Sequence, residues 1–277
     1  MKKLNIVISI LSLIMLVVAP LKLFADNSNE VKTLVIYYSQ TGATEKVARE
    51  IASQLNADIA ELEAAESYGT DYDQTIQRWR KEMEEGKKVE ILPVSADLKK
   101  YDRIFLGFPI WGGTFASPIT TFLTDNSLKD KEVITFATFG SGGIEPATKD
   151  VEKLQPEATV KEGYGVRNAR LSKAPEEINR FLIEKGYKEG KVALLPDYGT
   201  PAPVNNSDRE IFDKACSGYK FPLGSPVNVA KRYYPDGVDY RFAVISTTPD
   251  GKEIPATIYV TVPKGEAPEF TRVVRTN

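Results

Sequence analysis

The chain has 277 residues, of which 42% are apolar, 27% charged and 10% aromatic; this is ordinary globular usage and predicts about two domains. It has no histidine and a single cysteine, Cys216, which excludes histidine-based catalysis, intrachain disulfides and cysteine-rich metal or iron–sulfur sites. Its net charge of −2 is too small, and of the wrong sign, for a protein whose main partner is nucleic acid.

The N-terminal segment is typical of a secretory signal. Lys2 and Lys3 precede an uncharged run over residues 4–21, and Ala25 offers a small residue before a polar stretch. We expect a signal peptide over residues 1–25 that directs export to the periplasm or cell envelope. The alternative is an uncleaved anchor, which is the only membrane contact that the sequence predicts. Removing the signal leaves 33 basic and 38 acidic residues and a net charge of −5.

Five short apolar runs alternate with amphipathic helical patterns in the next part of the chain. Strands are predicted over residues 33–38, 57–62, 103–108, 132–138 and 158–166. Regular alternation of strands and helices favours an α/β fold, in which five strands form a doubly wound parallel sheet.

The composition changes after residue 187. Residues 188–205 are rich in proline and predict a linker, and an amphipathic helix is predicted to follow. A Pro-x-Gly turn signal then recurs every 14 residues, at Pro235, Pro249 and Pro263, with alternating runs between. We therefore expect a small α+β domain over residues 206–277, with a four-stranded antiparallel meander.

The first of three candidate loops follows the first strand, where ligands of open parallel sheets bind. It opens a helix, whose N-terminus favours an anion, and its hydroxyl groups suit a phosphate; a simple helix-capping turn is the alternative. It has neither the lysine of a P-loop nor the glycine spacing of a dinucleotide fingerprint. Its candidate residues are Ser39, Gln40, Thr41, Gly42, Ala43 and Thr44.

The second and third loops follow later strands and predict a site for a planar ring. In the second, Trp111 beside two glycines can stack on a ring while the backbone bonds to the ring edge; packing under a helix is the alternative. The third has little side-chain bulk apart from Phe139, and no histidine accompanies its serine as a base. The candidates are Pro109, Ile110, Trp111, Gly112 and Gly113 from the second loop and Thr138, Phe139, Gly140 and Gly143 from the third.

In this order along the chain, the three loops resemble those of the flavodoxin family. The first resembles the family's phosphate loop, residues 107–112 resemble its ring-binding loop, and residues 139–143 match the position of its second ring loop. Tyr68, Asp71, Tyr72 and Arg78 resemble the insertion helix of a bacterial flavodoxin-like group. The resemblance covers about residues 32–187, which we expect to form one domain.

The resemblance implies the strand order 2-1-3-4-5 and FMN as the cofactor. The first loop would hold the phosphate, and the second and third would surround the isoalloxazine ring. Two positions depart from the family pattern. Gly112 stands where close relatives often carry a second tryptophan, and Phe139 replaces a residue that is usually small and polar. The two glycines of the second loop would leave one face of the ring open.

Three function classes remain open. The first is an FMN-dependent oxidoreductase that passes electrons from a nicotinamide or a quinol to a small acceptor. The second is an electron carrier between proteins, and the third is a flavin-free binding module. Carriers of this fold tend to be strongly acidic, so the modest charge favours the enzyme over the carrier. The expected partner is a small-molecule redox substrate or a redox partner protein. The intact phosphate loop disfavours the third class, and neither a metal nor a nucleic acid is expected.

Overall fold

The computed structural model describes residues 31–219, 223–247 and 252–275. The predicted signal, residues 1–25, and the second turn of the C-terminal repeat, residues 249–251, lie outside these ranges. Within them, no helix has the length and apolar character needed to cross a membrane.

The N-terminal part is an α/β structure built on a parallel sheet. Its strands and helices are β1 (Thr33–Tyr38), α1 (Ala43–Leu55), β2 (Asp58–Leu62), α2 (Tyr72–Glu84), β3 (Arg103–Trp111), β4 (Thr114–Phe115), α3 (Ser117–Asp125), β5 (Glu132–Phe139), α4 (Glu145–Leu154), β6 (Thr159–Arg167) and α5 (Ala174–Glu184). The strand order is β2-β1-β3-β5-β6, and β4 pairs only with β3. With the two-residue β4 left out, this is the predicted order 2-1-3-4-5, so the predicted fold class is confirmed.

Alternation along the central strands gives the sheet two buried faces. On β1, Leu34, Ile36 and Tyr38 belong to one core cluster, whereas Val35 and Tyr37 belong to the other. Helices α3 and α4 cover the first face, and α1 and α5 cover the second. The carboxyl ends of β1, β3 and β5 therefore lie side by side at one edge of a sheet that is packed on both faces.

Strand β3 is longer than predicted. The predicted strand ends at residue 108, but Pro109, Ile110 and Trp111 continue the strand, and Trp111 pairs with Thr114 of β4. The turn between them is Gly112–Gly113, with φ of 56° and 96°. A two-residue turn with positive φ at both positions matches the twist of the two strands that it joins. Glycine adopts positive φ without strain, which explains why both turn residues are glycines. The second loop is thus a tight hairpin.

The C-terminal part is an antiparallel sheet with one helix packed on it. Its elements are β7 (Ala202–Pro203), α6 (Asn206–Cys216), β8 (Ser225–Tyr234), β9 (Gly237–Thr247), β10 (Glu253–Pro263) and β11 (Glu269–Arg275), in the sheet order β11-β10-β9-β8-β7. Phe212 of α6 packs on Phe242 and Ile258 of the sheet. The meander has the predicted four strands, and the fifth, β7, comes from the segment interpreted as a linker.

Candidate functional site

A cavity of about 750 Å³ opens where β1, β3 and β5 end. This volume is within the usual range of ligand pockets, about 300–1,000 Å³. The chain goes from β1 outward to β2 on one side and continues with β3 on the other, so the cavity lies at the switch point of the strand order. Thirteen of the fifteen predicted site residues line it, and the exceptions are Gly42 and Gly143.

The first loop is fixed by side chains of its own domain. Ser39 Oγ accepts a hydrogen bond from the backbone N–H of Glu45 (3.2 Å), and Gln40 Nε2 donates to the carbonyl of Gly69 (3.1 Å). The buried hydroxyls of Thr44 and Thr138 hydrogen-bond to each other (2.8 Å), which joins the first loop to the third. The loop is therefore held in place by hydrogen bonds within its own domain.

The backbone amides of the first loop lack protein acceptors. Helix α1 begins at Ala43, after Gly42 in the left-handed conformation (φ 82°). The N–H groups of residues 41–44 make no hydrogen bond to any acceptor in the described part of the chain. Free amides at the start of a 13-residue helix form an electropositive end that suits an anion. The hydrogen bond from the Glu45 N–H to Ser39 and the anion site thus coexist in this loop.

Trp111 lies at the cavity but is mostly enclosed by other aromatic side chains. It is 2% exposed, and its ring lies 4.8 Å from that of Tyr68 and 5.9 Å from that of Tyr38 (centroid distances). Tyr68 is fixed in turn, since its hydroxyl donates to the buried carboxylate of Glu82 (2.7 Å) and the Arg78 guanidinium lies over its ring. This arrangement favours the packing alternative over stacking of the indole on a ligand.

The hairpin of the second loop leaves room for a ligand beside only one of its two glycines. A Cβ at Gly112 would lie 1.9 Å from the Trp79 ring, so an indole from α2 covers this glycine. A Cβ at Gly113 would meet nothing within 4 Å. The open face expected from the two glycines is therefore found at Gly113 alone.

The third loop is held by residues that come later in the chain. Arg167, the last residue of β6, donates from Nε to the carbonyl of Gly140 (2.7 Å) and from Nη1 to the carbonyl of Phe270 in β11 (2.7 Å). The N–H of Val273 in β11 donates to the carbonyl of Ser141 (3.1 Å). The C-terminal sheet thus reaches the cavity through this loop.

Titration of the groups around the cavity is dominated by burial. Burial raises the pKa of Tyr38 and of Tyr68, and Glu82 raises that of Tyr68 further, so both phenols stay neutral at physiological pH. Burial lowers the pKa of Arg167, which still carries its charge because a guanidinium titrates far above neutral pH. Burial also raises the pKa of the Cys216 thiol to about 12.

Several lining residues were not among the sequence candidates. Thr70, Tyr72 and Asp73 lie at the start of α2, where Tyr72 had been noted for its family resemblance alone. Arg167 ends β6 and Asn168 follows it, and the strand-end rule that selected the first three loops would have found them. The remainder are Ser141 and Gly142 of the third loop, with Gly218, Tyr219 and Arg275 from the C-terminal part. Among the described residues, no cluster of acidic or cysteine side chains could hold a metal ion.

A family model described as flavodoxin matches residues 32–184, which is more than half of the chain. This chain belongs to the flavodoxin family. Membership supports a flavin cofactor, and the flavodoxin region contains the three loops that meet at the cavity. No curated protein matches the chain significantly.

Solved structures match about half of the chain. A candidate flavoprotein from Bacteroides uniformis is 30% identical, with a TM-score of 0.48, over 54% of this chain and 98% of that chain. One from Bacteroides eggerthii is 28% identical (TM-score 0.46), over 53% and 98%. A flavoprotein from Lactobacillus acidophilus, solved in complex with FMN, is 24% identical (TM-score 0.44), over 55% and 98%.

Gly218, Tyr219 and Arg275 line the cavity but lie beyond the flavodoxin match. Gly218 and Tyr219 follow α6, and Arg275 ends β11. No local sequence signal distinguishes them, because they reach the cavity only through the packing of the C-terminal sheet on the third loop. Part of the cavity wall is therefore specific to the C-terminal part of this flavodoxin.

Proposed function

We propose that this protein binds FMN and is an oxidoreductase that passes electrons from a nicotinamide or a quinol to a small acceptor. The observation that carries the proposal is the row of free amides at residues 41–44, placed at the switch-point cavity. These N–H groups would hold the terminal phosphate of FMN, with the hydroxyls of Thr41 and Ser39 beside them.

The flavin ring would lie between the second and third loops. Gly113 and Gly140 line this part of the cavity without side-chain bulk, Ile110 adds an aliphatic side chain, and Phe139 adds an aromatic edge. FMN would supply the redox chemistry itself, while the chain orients it and sets its surroundings. Tyr38 and Tyr68 support the floor of this region through Trp111 and stay neutral, so they place no charge beneath the ring.

Two features favour an enzyme over a carrier. The C-terminal residues Tyr219 and Arg275 add a wall to the cavity, which suits a small reactant better than an exposed ring edge meant for a partner protein. Gly113 also has open space beside it, through which a reactant can approach. A flavin-free binding module would have no use for four unpaired amides beside a ring-sized cavity.

The cofactor is tested by titrating flavin-free protein with FMN, riboflavin and FAD. We expect FMN to bind much more tightly than riboflavin, because the free amides act on the phosphate alone. Equal affinity for FMN and riboflavin would contradict the assignment of the first loop. The reaction is tested by anaerobic mixing of the FMN-loaded protein with NADH and with a quinol, followed by a small quinone. Absence of reduction by either donor would favour the carrier.

We further propose that the protein is exported, from the lysine-flanked apolar run that precedes residue 25. Mass spectrometry of the protein recovered from its native host tests this directly. A mature N-terminus near Asp26 is expected, and an intact N-terminus in the cytoplasmic fraction would contradict export.

A further inference from the structure

The wall that the C-terminal part adds to the cavity carries two arginines. Arg167 and Arg275 line this wall together with Asn168 and Tyr219. Asp73 is the only acid that lines the described cavity, and it belongs to α2. The lining is therefore net positive, although the chain as a whole is net negative.

These two arginines differ from their neighbours at the same contact between the two sheets. Arg170 pairs with Glu177 (2.7 Å) and Glu269 (3.0 Å), and Lys173 pairs with Glu266 (3.3 Å). Within the described residues, neither Arg167 nor Arg275 has a carboxylate within 4 Å. Arg167 is partly removed from water and Arg275 is exposed, and cations that lack a counterion attract an anion from solution.

This wall lies far from the phosphate end of the cavity, measured across the strands of the parallel sheet. Arg167 ends β6, whereas the first loop follows β1, and β3 and β5 lie between them. Three strand spacings amount to about 14 Å, which is too far for a guanidinium to contact a phosphate held by the first loop. Arg167 is thus placed to act on a second anion, and Arg275 lines the same cavity.

The wall also offers an aromatic surface. The Tyr219 ring lines the cavity and packs against Phe270 of β11, with the ring centroids 5.1 Å apart. The Arg167 guanidinium lies over the ring of the same Phe270, 4.3 Å from the ring centroid. A flat ligand can contact Tyr219 while an acidic substituent reaches Arg275.

We propose that Arg167, Asn168, Tyr219 and Arg275 form a subsite for the second reactant, and that this reactant is a small aromatic molecule carrying a negative charge. Arg275 makes the direct contact with the charge. Arg167 keeps its hydrogen bonds to Gly140 and Phe270, and its positive charge attracts the same anion from a distance. The proposal rests on the proposed function only in describing the ligand as a reactant.

The test is calorimetric titration of the FMN-loaded protein with naphthalenesulfonate and with naphthalenesulfonamide, a neutral molecule of nearly the same shape. We expect the sulfonate to bind about tenfold more tightly, the size of one charge-assisted hydrogen bond. Arg275→Gln should abolish this preference, and added salt should weaken it. The matched control is Arg209→Gln, which removes an exposed positive charge of α6 outside the cavity and should keep the preference.

The same titrations on flavin-free protein separate the subsite from the proposed function, because sulfonate binding at the first loop does not depend on Arg275. If FMN never binds but the sulfonate preference persists and depends on Arg275, the redox function fails and the subsite stands. If FMN binds and the two naphthalenes bind equally, the subsite is overturned. Arg275→Gln protein with weaker FMN binding but an unchanged preference would assign Arg275 to the flavin and also overturn it.

Discussion

The first loop of the cavity is held by its own domain, whereas the third loop is held by the C-terminal sheet. In the first, the contacts come from Ser39, Gln40 and Thr44 within the flavodoxin region. In the third, Arg167 and Val273 link the loop backbone to β11. The phosphate end of the site therefore depends on local structure, and the ring end depends on contacts made about a hundred residues further along the chain.

The difference implies that the two ends can be altered separately. A change in the first loop should affect recognition of the phosphate and leave the ring unaffected. A change at the contact with β11 should affect the ring and the second reactant, with the phosphate unaffected.

Gly163→Ala should have the largest effect, and it acts on the strand that leads to the third-loop side of the cavity. Gly163 lies at a bulge where β6 shifts its register against β5, and a Cβ there would lie 1.7 Å from the carbonyl oxygen of Thr135. We expect the free energy of unfolding to fall by about 3 kcal/mol, because backbone must move to accept the methyl group. Urea denaturation measures the loss.

The matched control is Gly140→Ala, in the third loop itself, where a Cβ would meet nothing within 4 Å. Its unfolding free energy should stay close to that of the unchanged protein. Comparable destabilisation by both substitutions would mean that the bulge has no special role in supporting this loop.

Thr41→Ala should weaken FMN binding by about 2 kcal/mol, since it removes a hydrogen bond to a charged group. Thr41 is exposed at the cavity, so stability should be unaffected. Riboflavin has no phosphate, and its affinity should stay the same. Fluorescence titration with both flavins measures the two constants. An equal loss for riboflavin would place Thr41 at the ring and remove the contrast between the loops.

Arg167→Gln should weaken the binding of both flavins, without the selectivity for FMN expected of Thr41→Ala. Loss of the bridge between Gly140 and Phe270 loosens the third loop, and we expect FMN and riboflavin to lose affinity equally, by about 1.5 kcal/mol. The same flavin titrations provide the measurement. A loss confined to FMN would mean that Arg167 acts on the phosphate, which would contradict the separation estimated from the strand order.

The regular parts of the fold were predictable because their patterns are local. The alternation in β1 and the polar loops after β1, β3 and β5 each follow from short stretches of sequence. The order of the strands came from the family resemblance, and the structure confirms it. The three loops could be placed at one cavity because the carboxyl ends of parallel strands meet at the same edge of a sheet.

The parts that could not be predicted depend on contacts that are distant in sequence. Nothing near Trp111 shows that Tyr38 and Tyr68 enclose it, or that Trp79 covers Gly112. The wall formed by Tyr219 and Arg275 depends on how the C-terminal sheet packs on the third loop. The extension of β3 into a hairpin was local, however, and the adjacent glycines were its signal.

Glu132→Gln tests the end of the sheet opposite both loops and should have the smallest effect. Glu132 begins β5 and accepts hydrogen bonds from Arg103 and Lys161 (both 2.5 Å). Burial alone would raise the pKa of this carboxyl, but the bonds from Lys161 and Arg103 outweigh burial and lower the pKa below its usual 4.5. A carboxylate with a depressed pKa stabilises the folded state above the unfolded-state value, and this contribution is lost as the pH falls through the folded-state value. The substitution should therefore cost about 1 kcal/mol of unfolding free energy near neutral pH and almost nothing in strong acid.

Urea denaturation across this pH range measures the cost of Glu132→Gln. The FMN and riboflavin affinities should both stay constant, because the sheet transmits no change to either loop. A cost that grows toward acid would reverse the sign of the pKa shift, and a change in either affinity would show that the loops are not independent of the far end of the sheet.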